Sequence, residues 1–81
     1  MNLANQCYNI LPIEVFNRIK ITTREKQVLS RLARGLTDVE ISQELFISPN
    51  TVQTHRRKLL NKFDAKNSCI LIYYSCKLGI L

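Results

Sequence analysis

The stretch TDVEISQELFISPNTVQTHRRKLLNKF, residues 37–63, contains two helix starts in close succession. Thr37 is followed three residues later by Glu40, a capping box in which the Thr hydroxyl and the Glu carboxylate each satisfy an otherwise orphan amide. Ile41, Ser42 and Leu45 then fall on one side of a short helix of about two turns, and the small Ser42 suits the close approach of a crossing helix. Ser48 is the next N-cap, with Pro49 at the first helical position, where its missing amide hydrogen is harmless and its φ is already helical. From Pro49 the second helix runs to about Phe63, roughly 22 Å at 1.5 Å per residue. Phe46 and Ile47, between the two, suit a loop only if the turn is buried.

The longer helix has two unlike faces. Val52, Leu59, Leu60 and Phe63 form an apolar stripe, opposite Asn50, Gln53, Thr54, Arg57, Lys58 and Asn61, with Arg56 nearer the stripe. The polar face contains no acid. A solvated helix face ordinarily mixes Glu with Lys at i and i+4, whereas this one presents only donors, amides and hydroxyls.

The same signals extend outward. Upstream, Thr22 and Glu25 form a capping box, Val28, Leu29, Leu32 and Ala33 recur at helical spacing, and Gly35 stops the helix, which predicts a first helix over 23–34. Downstream, Asn67 caps a last helix over 68–78 that ends at Gly79. In that helix Cys69, Ile72 and Cys76 make one apolar strip and Leu71, Tyr74 and Leu78 another, with Ile70 and Tyr73 on the remaining side next to Lys77. A helix apolar nearly all round is covered on more than one face, which in a domain this small suggests another subunit. In residues 1–20, Pro12 can open a short extra helix with Ile13, Phe16 and Ile19 inward; the reading is an extension or linker ahead of a domain over 21–81.

Composition narrows the function. The chain has 81 residues, 12 Lys and Arg against 6 Asp and Glu, and a formal charge of +6. A domain of this length buries about 60% of its unfolded surface, enough for one modest core but not for an enclosed catalytic cleft as well. No paired acid, base or nucleophile is visible, so no catalytic residue is expected. The three Cys and single His55 lack zinc-site spacing, and neither metal nor cofactor is expected. His55 reads as a packed or phosphate-facing residue. Unpatterned cysteines and the absence of a long apolar run suit a cytoplasmic protein with no membrane partner. Arg56, Arg57, Lys58, Lys62 and Lys66 against Asp64 leave +4 of the net charge in residues 49–66, while residues 21–48 carry none. The excess therefore points to a polyanion met by one helix.

Two helices joined by a tight turn, the second with a donor-rich outer face, describe a helix-turn-helix, in which the second helix enters the major groove of DNA. Arg57 can donate two bonds to guanine O6 and N7, Gln53 can pair with adenine, and the Thr54 methyl can touch a thymine methyl. Ser48, Asn50, Thr51, Arg56, Lys58, Lys62 and Lys66 offer the donors that phosphates need. With four or five basic groups per subunit on phosphates, log affinity for a dimer falls against log salt with a slope of roughly −7 to −9.

Thr22-Thr23-Arg24-Glu25 with Val28-Leu29, Gly35-Leu36-Thr37, Glu40-Ile41, Leu45 through Val52, His55 and Lys62-Phe63 resembles the LuxR-type helix-turn-helix domain of bacterial transcription regulators. The resemblance covers about residues 21–81. It implies an all-α, four-helix domain that binds double-stranded DNA as a homodimer, with the third helix as reader and the fourth as dimer contact, for which this sequence offers Ile70, Tyr73, Tyr74 and Lys77. It also implies recruitment or blocking of RNA polymerase once on DNA. By position it puts base reading on Gln53, Thr54 and Arg57 and backbone binding on Thr51 and Lys66. Members commonly carry a receiver or ligand-sensing domain ahead of this one, though short stand-alone members exist. The chain departs from the pattern at Gln53, where many members have Lys; at Ser68, often Arg; and at Ile70 and Tyr73, often charged. A dimerisation or adaptor module of the same fold without DNA binding is the alternative, and it would have no reason to keep an acid-free face.

Overall fold

The computed structural model describes residues 19–81; the short helix expected near Ile13 lies outside them. Four helices follow one another: α1 (Thr23–Ala33), α2 (Asp38–Leu45), α3 (Pro49–Phe63) and α4 (Ser68–Lys77). There is no strand among the described residues. The starts lie where the caps predict. Thr22 Oγ1 accepts from the Glu25 amide at 3.1 Å while Glu25 Oε1 accepts from the Thr22 amide at 3.1 Å. Thr37 and Glu40 repeat the exchange at 3.2 and 2.8 Å. Ser48 Oγ accepts from the Thr51 amide, and Asn67 Oδ1 from the Ile70 amide.

The stops differ in kind. Gly35 (φ 84°) and Gly79 (φ 71°) take the left-handed conformation after α1 and α4, as their lack of a Cβ permits. Phe46 (φ 58°) and Asp64 (φ 52°) do the same after α2 and α3 with a side chain attached. The α2–α3 turn also overturns the expectation of burial: Ile47 packs against the core, but Phe46 is 93% exposed. Left-handed backbone costs a non-glycine residue about 1–2 kcal/mol, and this ring recovers none of it by burial. Phe46→Gly is therefore expected to raise stability by about 0.5–1 kcal/mol after the extra chain entropy of glycine is subtracted, read as a higher urea midpoint with unchanged slope.

Each helix supplies two or three members of one core: Val28 and Leu29, Ile41 and Leu45, Val52, Leu59 and Phe63, Leu71 and Tyr74. Helix α3 touches all three others, and Ser42 of α2 is buried, its hydroxyl donating to the Val39 carbonyl at 2.6 Å. Ala33, expected inward, is the last residue of α1 and is exposed. Among the described residues no helix is long and apolar enough to cross a membrane.

Candidate nucleic-acid interface

The N-terminal two-thirds of α3 exposes Asn50, Thr51, Gln53, Thr54, Arg57 and Lys58, with Ser48 exposed at the cap. Pro49 has no amide hydrogen and the Ser48 hydroxyl takes that of Thr51, so the positive end of the α3 dipole carries few free donors beyond the Asn50 amide. The Ser48 and Thr51 hydroxyls lie 2.9 Å apart and hold each other's orientation. Thr54 donates its hydroxyl to the Asn50 carbonyl at 3.0 Å, which commits the oxygen to the helix and leaves the methyl for an apolar neighbour. No hydrogen bond or ion pair joins the ends of Gln53, Arg57 or Lys58 to another described residue.

Two of the four cations expected to hold phosphates, Arg56 and Lys62, are paired with acids inside the molecule. Arg56 Nη2 lies 3.0 Å from Asp38 Oδ2, tying α3 to the first turn of α2. Lys62 Nζ donates to Glu25 Oε1 at 2.6 Å and to the Lys20 carbonyl at 2.8 Å. Glu25 is 3% exposed. Its burial favours the neutral acid, but the Lys62 hydrogen bond, the Thr22 amide and the Lys62 charge outweigh that and hold its pKa below the ordinary value. Sequence reasoning identified Glu25 as a cap and missed its second role. The available signal was a carboxylate placed one turn ahead of Val28 and Leu29, close enough to the core to need a cation.

These pairs also arrange the field. Glu44 holds both Arg31 (3.0 Å) and Arg34 (3.4 Å), Asp38 holds Arg56, and Glu25 holds Lys62. Three of the four acids of the first two helices thus neutralise cations at helix contacts, and the outer face of α3 keeps Arg57 and Lys58 uncompensated. Lys66 is exposed in the link that follows. His55 is half-buried, and its Nδ1 is enclosed without a hydrogen-bond partner.

A model of the bacterial regulatory proteins of the luxR family matches residues 20–75. The chain belongs to the luxR family. Three members show the range of likeness. The transcriptional regulatory protein UhpA of Salmonella typhimurium is 43% identical over 53 residues, 65% of this chain and 27% of that one. The CsgBAC operon transcriptional regulatory protein of Escherichia coli is 47% identical over 47 residues, 58% of this chain and 22% of that one. The quorum-sensing regulator RhlR of Pseudomonas aeruginosa is 33% identical over 70 residues, 86% of this chain and 29% of that one. The chain spans under a third of the length of each of these relatives. The luxR match runs from just before α1 into α4 and so includes the whole outer face of α3.

On α4 the structure separates the four residues expected at a dimer contact. Tyr74 is 3% exposed and belongs to the core, because α4 turns its Leu71–Tyr74–Ser75 side toward α1 and α3. Burial, with a smaller contribution from the Asp64 charge, raises its phenol pKa. Ile70 is half-buried, Tyr73 is 41% exposed, and Lys77 Nζ stands 5.9 Å from the centre of the Tyr73 ring. Cys69 and Cys76, expected in an apolar strip, are exposed.

Proposed function

We propose that this chain binds double-stranded DNA sequence-specifically as a homodimer and regulates bacterial transcription from the cytoplasm, by recruiting or blocking RNA polymerase. Helix α3 enters the major groove. Gln53, Thr54 and Arg57 read base edges, and Ser48, Asn50, Thr51, Lys58 and Lys66 hold phosphates and sugars. The outward residues of α4, Ile70, Tyr73 and Lys77, meet a second copy. Arg56 and Lys62 serve chiefly to hold α3 on the other helices. The observation that carries the reading is the exposed, acid-free face of α3, whose Arg57 and Lys58 pair with no acid while other cations of the same helix do. Membership of the luxR family of regulatory proteins supports it.

Setting Arg56 and Lys62 aside leaves two or three cations per subunit for DNA, so the slope of log affinity against log salt is expected near −4 to −5 for a dimer, at about 0.9 per phosphate. Titration of a duplex between 50 and 200 mM salt measures it; a slope near −1 would overturn the proposal. Selection of bound sequences from a random duplex library is expected to return two half-sites. A functional chain with no sequence preference and no salt dependence would instead be the adaptor of the same fold.

A further inference from the structure

We propose that Arg24 and Phe46 form a second DNA contact beside the reader helix, with the Arg24 guanidinium on a phosphate and the Phe46 ring on the adjoining deoxyribose. This contact rests on the DNA reading above and uses two residues to which that reading gives no part. Both flank the Leu45 carbonyl at the end of α2. Arg24 Nη1 donates to that carbonyl at 3.5 Å from 21 residues away, and Phe46 follows Leu45 directly as the cap.

Phe46 carries two costs that its own fold does not offset. Its backbone is left-handed at φ 58°, and its ring is 93% exposed. Backbone strain of this kind gathers where a chain meets its ligand, and the place of Phe46 in the chain says which ligand. Ser48, two residues on, caps α3 and is a phosphate ligand in the reading above. Two residues span at most about 7 Å. The ring therefore comes within reach of the sugar beside that phosphate, on the wall of the groove that α3 enters. A sugar edge offers an apolar surface to a ring that has none to cover it at home.

Charge at this turn suits a polyanion. The last carbonyls of α2 are the negative pole of its dipole, and Arg24 covers that pole through Leu45. One donor of its planar fork is used there, which leaves the others for a phosphate. Glu44, the acid next to Leu45 in the chain, is held by Arg31 and Arg34. Arg24 itself is exposed and pairs with no acid among the described residues, unlike Arg31, Arg34, Arg56 and Lys62. With Arg57 on a base, Lys58, Lys66 and Arg24 supply the phosphate cations of each subunit. That sets the dimer slope at the steep end of the expected range, near about −5.

The test titrates the full chain against a duplex returned by the library selection, across the same range of salt, for the parent, Phe46→Gly, Arg24→Gln and Arg24→Lys. Phe46→Gly is expected to raise the urea midpoint and yet to bind about tenfold more weakly at every salt with an unchanged slope, because a ring on a sugar releases no counterion. Arg24→Gln is expected to flatten the dimer slope by about 2, at about 0.9 per phosphate, without altering sequence preference, and Arg24→Lys to restore it. If Arg24 only braces the turn, Arg24→Gln lowers the urea midpoint and keeps the parent slope, which overturns its place on a phosphate. Parent affinity in Phe46→Gly overturns the ring contact, and loss of regulation in a reporter at that unchanged affinity would give the ring to a protein partner instead. A parent slope near −1 would overturn the DNA reading and this contact together, whereas a steep parent slope that neither residue moves overturns this contact alone.

Discussion

Replacing Lys62 by Met is expected to lower stability by about 2 kcal/mol, and to lower the melting temperature of a domain this size by about 10 °C. The loss comes from the partner left behind. Glu25 is 3% exposed and accepts a 2.6 Å hydrogen bond from Lys62; without the ammonium, an ionised carboxylate stays buried with only the Thr22 amide for company. Breaking a fully enclosed pair costs about 3–5 kcal/mol, and the lower figure here reflects the water that still reaches Lys62, whose side chain is 34% exposed. E25Q keeps the capping acceptor and removes the charge, so Lys62→Met should cost far less in the E25Q background than alone. Equal costs in both backgrounds would show that the ion pair contributes nothing.

The same pair sets an acid limb. The pKa of Glu25 is lowered in the folded state, so the unfolded chain takes up the proton first as pH falls. The stabilisation is complete above the ordinary carboxylate range and disappears as pH drops through the lower, folded value. Stability of the E25Q variant should be flatter over that window than stability of the parent.

Arg57→Ala carries the second large expectation, a loss of about 1–3 kcal/mol in binding to the selected site, or roughly 5- to 150-fold, with relaxed preference at one base pair per half-site. Arg57→Lys should recover affinity but not preference, because an ammonium lacks the planar fork that meets guanine O6 and N7 together. Lys58→Ala should weaken all sequences alike and reduce the salt slope by about 0.9 per subunit. Repeating the library selection with each variant reads both quantities. Loss of affinity without change of preference in Arg57→Ala would remove Arg57 from the base-reading group. Lys62→Met, measured where it is folded, should leave the slope unchanged.

The helix starts were legible because each is a contract between residues three apart: Thr22 with Glu25, Thr37 with Glu40, Ser48 with Thr51, Asn67 with Ile70. Gly35 and Gly79 likewise announced their stops. Phe46 and Asp64 did not, since a side-chain-bearing residue takes left-handed backbone far less often than glycine and so is a weak mark of a stop. The outer face of α3 was readable from composition, as an absence of acids in one stripe. The destinations of Arg56 and Lys62 were not, because their partners lie 18 and 37 residues away and local pattern carries no information about which cation meets which acid. Tyr74 shows the same limit: an all-round apolar helix does not reveal which side faces the core, and α4 chose the side that Leu71 shares.

Arg56–Asp38 and Lys62–Glu25 hold α3 from two different neighbours, α2 and α1, at points six residues apart along its length. A helix anchored at one point can roll about its axis; one anchored twice, to separate bodies, cannot roll without breaking a bond. One residue of roll is about 100°, enough to turn Gln53 or Arg57 out of any groove. The pins therefore separate two kinds of position along α3: Val52, Arg56, Leu59, Lys62 and Phe63 fix its angle, while Gln53, Thr54 and Arg57 make no contact on which that angle depends. On the proposed function these three can be exchanged without disturbing the fold, and new residues there should redirect the domain to a different operator.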